Sequence, residues 1–139
     1  MSLKNLSAKI KIPKIFKDKL KNKRINQIYK RFEKSLNTNE NFGVAVSGGP
    51  DSLALAFLAK IYSIKRKLAP KFFIVDHKLR LESTKEAKIV KQLLKRILIV
   101  PEILTWKGRK PLKNIQSLAR IKRYELIYKR CDKYKIKDI

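Results

Sequence analysis

A chain of 139 residues, 44% of them hydrophobic, is long enough to bury one core, which excludes disorder along its whole length. Its 36 Lys and Arg against 11 Asp and Glu leave a formal charge of +25, which attracts polyanions and suits nucleic acid or an anionic surface. Most of these cations are Lys spread over every segment among abundant Ile and Asn, so a compositional bias accounts for the charge as well as selected binding does.

In chain order, residues 1 to 22 read as a basic leader broken at Pro13, after which Ile25, Ile28, Tyr29, Phe32 and Leu36 fall at helical spacing. A basic leader and one amphipathic helix are therefore expected over 1–41, with the main domain over 42–139. Asn37, Thr38 and Asn39 punctuate the chain before residues 42–46, a short apolar run of the kind found in a buried parallel strand. The glycine-rich stretch 47–52 follows at once. Residues 53–62 are apolar almost all the way round, as in a helix covered on more than one side.

The pattern then repeats. Residues 72–75 predict a second strand and 76–82 a polar loop at its carboxyl end. Ser83 and Glu86 have capping-box spacing, and Ala87, Val90, Leu93, Leu94 and Ile97 supply the apolar face of a helix. Residues 103–106 predict a third strand, followed by a loop with Gly108 and Pro111 and a helix carrying Ile115, Leu118, Ala119, Tyr124 and Ile127. Strands alternating with helices predict an α/β fold, a Rossmann-like parallel sheet flanked by helices with right-handed crossovers. Sites in such sheets form at the carboxyl ends of strands.

The strand, glycine loop and helix of residues 42–62 carry the strongest chemical signal, because that geometry aims backbone N–H groups and a helix dipole at an anion. Gly48 and Gly49 let the backbone approach closely or take positive φ, Ser47 and Ser52 offer hydroxyls, and Pro50 stiffens the turn. Asp51 would repel a phosphate, so its place in an anion cradle makes sense if Mg²⁺ bridges it to a triphosphate; the plainer role is to cap the helix beginning there. No Gly-Lys-Ser/Thr follows the glycines and no Gly-x-Gly-x-x-Gly is present, which excludes the Walker and dinucleotide types. A nucleophile elbow would need Gly where Ala45 stands, and a His–acid pair that the sole histidine, His77, would have to supply.

The lone Cys131 cannot form an intramolecular disulfide, and no Cys-x-x-Cys pair exists to hold zinc or a cluster, as fits a reducing cytoplasm. No apolar run approaches the roughly 20 residues of a membrane span, and the N-terminus lacks a signal peptide's apolar core. A soluble cytoplasmic protein with no membrane partner is expected. The Lys-rich start has few Ser and Arg for a transit peptide.

Ser47-Gly48-Gly49-Pro50-Asp51-Ser52 resembles the SGGxDS loop of the PP-loop ATP pyrophosphatases. Val75-Asp76-His77-Lys78-Leu79-Arg80 with Ser83 is similar to the VDHGLRxxS segment of tRNA(Ile)-lysidine synthetases. Asn114-Ile115-Gln116-Ser117-Leu118-Ala119-Arg120-Ile121-Lys122-Arg123-Tyr124 is similar to that family's N-[IL]-Q-x-x-A-R-x-x-R-Y segment. All three occur in family order and cover the chain from about Phe42 onward.

The resemblance implies an adenine nucleotide alpha-hydrolase-like fold and a ligase that uses ATP and Mg²⁺ to adenylate the wobble cytidine of tRNA(Ile), whose anticodon is CAU. Free L-lysine then displaces AMP to give lysidine. It implies that Ser47, Gly48, Gly49, Pro50, Asp51 and Ser52 hold the pyrophosphate part of ATP and that Asp51 ligates the metal. Asp76 and His77 then lie near the adenosine or the acceptor base; either could instead serve only its own loop. Arg120 and Arg123, three apart on a helix, suit a phosphate or the carboxylate of lysine, or a solvated basic face. Asn114 and Gln116 suit capping or orienting that helix. Lys78 stands where the family has Gly, which predicts strain in a turn requiring positive φ. The family continues beyond the position of Ile139 with another strand, a His-His-x-x-Asp-Asp-Gln segment and tRNA-gripping domains. Residues 42–139 are thus expected to be the N-terminal part of a PP-loop ATP-binding domain, its sheet incomplete at the C-terminal side. A homodimer is compatible with this, and so are two other readings: a different PP-loop enzyme of tRNA thiolation or NAD or GMP synthesis, or a non-catalytic basic RNA-binding remnant.

Overall fold

In the computed structural model, which describes residues 10–139, three short strands form one parallel sheet in the order β1 (Gly43–Ala45), β2 (Lys71–Asp76), β3 (Glu102–Thr105). Val44 lies opposite Phe72, and Ile74 opposite Ile103. Side chains alternate across the pleat, so Val44, Phe72 and Ile74 enter one core while Phe73 and Leu104 enter another on the far face. This is why these strands read as unbroken apolar runs: a parallel sheet is covered on both sides.

Helices α3 (Pro50–Arg66) and α4 (Ser83–Arg96) connect the strands and cover the first face with Ala56, Ala59, Ile61, Tyr62, Ala87, Val90 and Leu94. Helix α5 (Ile115–Lys133) closes the second face with Ile127 and Cys131. Ser83, expected to cap α4, is its first residue instead: Glu82 holds the cap position without a side-chain bond, and the Ser83 hydroxyl turns back into the preceding loop. Asn114 sits at the cap of α5 in the left-handed region, at φ 53°, likewise with no side-chain cap.

The segment ahead of the sheet is packed into the first core. Pro13 cannot continue a helix from its N-terminal side but suits the position just before one, and α1 (Lys14–Leu20) starts directly after it. Phe16 is 0% exposed and tilts against Phe57 with ring centroids 5.4 Å apart. Helix α2 (Lys23–Leu36) buries Tyr29, and Asn37 in the left-handed region ends it. The Tyr62 hydroxyl donates to the Thr38 carbonyl at 2.6 Å and accepts from the Thr38 amide at 2.8 Å, which fixes where the chain turns into β1. The start of the expected leader, residues 1–9, lies outside the described residues. Asn22 caps α2, its side-chain oxygen accepting from the amides of Arg24 at 3.0 Å and Ile25 at 3.1 Å. Asn22→Ala should cost about 1 kcal/mol in a urea titration, with the unfolding slope unchanged.

At the outer edge of β1, Phe42 and Asp138 form an isolated parallel bridge, with the Gly43 amide donating to the Asp138 carbonyl at 2.8 Å. Ile136, just before it, is buried in the second core. The chain after α5 thus returns beside the first strand and runs in its direction.

Candidate functional site

The loop between β1 and α3 owes its shape to one hydroxyl. Ser52 Oγ accepts from the amides of Ser47 at 3.2 Å and Gly48 at 3.1 Å, lies 3.1 Å from Ser47 Oγ, and donates to the Gly49 carbonyl at 3.1 Å. Gly48 takes φ +95°, where an L side chain is strained, and a Cβ there would lie 2.5 Å from Val90 Cγ2 of α4. Gly49 is extended, at φ −70°, and is the N-cap of α3, with Pro50 as the first helical residue. Asp51 is therefore not the cap. It stands exposed in the first turn, where the helix dipole favours a carboxylate, and makes no ion pair among the described residues. The first helical bond runs from Leu53 N to the Gly49 carbonyl, so the amides of Asp51 and Ser52 have no acceptor within the helix.

Beside this loop a cleft of about 330 Å³ opens at the carboxyl ends of β1 and β2, between α4 and α5. Ser47, His77, Arg80, Ser83, Glu86 and Arg123 supply its polar wall, and Val90, Tyr124 and Ile127 part of its apolar one. The Leu79 amide donates to His77 Nδ1 at 3.1 Å, so the neutral ring carries its proton on Nε2. Burial first, then the charges of Arg80 and Arg123, hold the His77 pKa below the ordinary imidazole value, against the opposite pull of Asp76 and Glu86. The Arg80 guanidinium pairs with Glu86 at 2.8 Å across the start of α4.

Asp76 is placed differently from its neighbour. Its side chain is 3% exposed; Thr84 Oγ1 donates to Oδ2 at 2.7 Å, the Lys78 amide donates to Oδ1 at 3.2 Å, and the Lys78 ammonium lies 3.4 Å from Oδ2. Burial opposes the charge, but these hydrogen bonds and the Lys78 cation outweigh it and keep the carboxyl below the ordinary carboxylate value. Lys78 adopts φ +55°, a left-handed conformation that a glycine would take freely. Its amide and ammonium both hold Asp76, so a few contacts of one side chain offset strain of about 1 kcal/mol or more.

Of the residues singled out in the sequence, Ser47, His77 and Arg123 share the cleft, and residues 48–52 form the turn that borders it. Asp76 is turned into the base of its own loop. Arg120 stays exposed and stacks over Tyr124, 5.3 Å from the ring centroid. The cleft also recruits Arg80, Ser83 and Glu86, of which Arg80 and Ser83 were visible as members of the second motif. Val90, which meets the loop at Gly48, carried no signal beyond its helical spacing. Among the described residues no cluster of three or more His, Cys, Asp or Glu is arranged to hold a metal, and no helix is long and apolar enough to cross a membrane.

A parallel sheet with a glycine loop at the end of its first strand, an anion-seeking helix start and a cleft over two strand ends define a nucleotide-binding α/β domain. Residues 18–139 match the model of the PP-loop domain, and the chain belongs to that family. It is 42% identical over 92 residues to a tRNA(Ile)-lysidine synthase of Bartonella henselae, a stretch covering 65% of this chain and 19% of that protein. A tRNA(Ile)-lysidine synthase of a Bradyrhizobium species is 45% identical over 86 residues, covering 60% and 24%, and one of Orientia tsutsugamushi 39% identical over 98 residues, covering 70% and 22%. The chain thus spans roughly a quarter or less of the length of these relatives. No solved structure matches it.

Proposed function

We propose that this chain is the nucleotide-binding part of a tRNA(Ile)-lysidine synthase, which binds ATP to adenylate the wobble cytidine with release of pyrophosphate, after which L-lysine displaces AMP to give lysidine. The observation that carries the reading is the Ser52-centred loop, its Gly48 at φ +95° pressed against Val90, in a chain whose relatives bear that name. Attack on phosphorus is helped mainly by positioning and by neutralising charge, so a backbone cradle suffices and no nucleophilic side chain is needed.

In this reading the amides at the start of α3 receive the pyrophosphate part of ATP, and Ser47 and Ser52 give their hydroxyls to its oxygens. Ser52 Oγ already sits on the amides of Ser47 and Gly48 where an anionic oxygen would draw them, so the loop is shaped before ligand arrives. Asp51, exposed and without a cation partner among the described residues, is the side chain that would hold a Mg²⁺ at this loop. When bound, the metal supplies charge neutralisation on the triphosphate. His77 and Arg123 face the cleft and suit the acceptor base or a phosphate, with Arg123 better placed than Arg120 for that work. Asp76 acts as a positioning residue for the turn that presents His77.

Calorimetry with ATP tests the loop. Asp51→Ala should weaken binding about tenfold in the presence of Mg²⁺ and leave the metal-free affinity unchanged or slightly improved, since a repulsive carboxylate is gone. Equal affinity of the variant and the parent with Mg²⁺ would count against both the metal and the ligase assignment. Charge gives weaker support to a basic RNA-binding module without catalysis; that reading predicts RNA affinity with no ATP binding at all.

A further inference from the structure

On the other side of β2 from the loop, a second groove of about 340 Å³ lies between the β3–α5 connection and α5. Trp106, Pro111, Leu118 and Ile121 line it with apolar surface, and Arg109 and Lys110 stand at its side. Trp106 directly follows β3, and its amide donates to the Asp76 carbonyl at 2.9 Å, which ties this groove to the turn carrying His77. The Lys110 ammonium lies 4.4 Å from the Trp106 ring centroid and donates to the carbonyls of Trp106 at 2.7 Å and Gly108 at 3.3 Å. It covers one ring face with a group that can swing away. Trp106 itself is only 8% exposed beneath this lysine, so its ring face becomes available only when Lys110 moves, whereas Leu118 and Ile121 remain 40% and 55% exposed.

We propose that this groove is a stacking site for an unpaired RNA base neighbouring the one that reacts, with its phosphates on Arg109 and Lys110. The inference rests on the lysidine synthase reading for the identity of the RNA. Its own support is charge and shape. The connection carries Lys107, Arg109, Lys110 and Lys113 with no acidic residue, and Arg109 has no ion-pair partner among the described residues. Glu125, the one acid lining the groove, is paired to Lys122 at 3.3 Å. A flat aromatic ring flanked by cations suits single-stranded nucleic acid, because every base offers a π-face and every linkage a negative charge. An acidic protein would match the charge but gives no role to the ring. On binding, the Lys110 ammonium exchanges two carbonyl oxygens and the ring for a phosphate, and the base takes the face it leaves.

Trp106 is the sole tryptophan, so tryptophan emission of the full chain, excited selectively over its five tyrosines, reports on this groove alone. A single-stranded RNA pentamer should bind and quench the emission by about half through base stacking, whereas polyphosphate and poly-glutamate bind without comparable quenching. Arg109→Ala should retain the quench and lower the slope of log affinity against log salt by about 0.7, the share of one phosphate contact. Equal quenching by polyphosphate or poly-glutamate, RNA binding without a quench, or an unchanged salt slope in Arg109→Ala each overturns the groove assignment. ATP calorimetry on the same preparation separates the two readings. ATP binding without a quench overturns the groove alone, while a quench without ATP binding overturns the ligase reading and retains an RNA-stacking groove.

Discussion

Gly48→Ala should destabilise the chain by roughly 3 to 4 kcal/mol, from backbone strain at positive φ together with overpacking of a filled site. The backbone at φ +95° disfavours any side chain, and the new methyl carbon would sit 2.5 Å from Val90 Cγ2. Val90 is buried on α4 and packs in the core shared with β2, so relief requires moving a helix or turning a β-branched side chain out of its well. Gly49→Ala provides the control. Its φ is −70° and an added Cβ would meet only Ser47 Oγ, at 3.7 Å. That change should alter stability by no more than about 0.5 kcal/mol. Urea titrations of both variants decide the matter: similar midpoints would show that the loop does not depend on the close approach at Gly48. A loss of this size is a large part of the total stability of a small domain, so nucleotide binding by Gly48→Ala is best read at low temperature, where the folded fraction is known independently.

The close approach at Gly48 also shows what a sequence can and cannot reveal. The three strands and the helices around them were legible because a parallel sheet covered on both faces demands continuous apolar runs, and residues 42–46, 72–75 and 103–106 have no competing pattern. Helix α1 was not legible. Four of its seven residues are charged and it buries one side chain, Phe16, so a segment this short gave periodicity little to register. Ser83 and Glu86 matched a capping box by spacing, but two other bonds were available to them: Ser83 Oγ lies 3.2 Å from His77 Nδ1 and accepts from the Arg80 amide at 3.3 Å, while Glu86 pairs with Arg80. A tertiary loop outbid a local cap. Spacing likewise put Arg120 and Arg123 on one face of α5, but could not foresee that Tyr124 would hold one guanidinium outside while the other entered the cleft. The bridge of Phe42 to Asp138 rests on a single backbone pair, which leaves no trace in side-chain pattern.

The positive φ at Lys78 could be anticipated from the Gly of similar sequences; how it is tolerated could not, and the answer lies in Asp76. Removing this carboxylate in Asp76→Ala strips acceptors from Thr84 Oγ1 and from the Lys78 amide, and leaves a strained turn without its ion pair. The expected loss is about 3 kcal/mol at neutral pH, the range for breaking a buried charged network. Because the folded-state pKa of Asp76 lies below its ordinary value of 3.8, its contribution is complete well above that value. It is lost as pH falls through the folded pKa and the carboxyl takes up a proton. The difference in unfolding free energy between parent and variant should therefore be constant from neutral pH down to about 5 and shrink below about 4. A difference that stays flat into that acid range, or widens, would show that Asp76 is not held as a charged acceptor. Because the same turn bonds the Leu79 amide to His77 Nδ1, the variant should also move the His77 imidazole resonances in NMR. A substitution felt only through stability would leave them in place, and Asp76 would then have no part in presenting the histidine to the cleft.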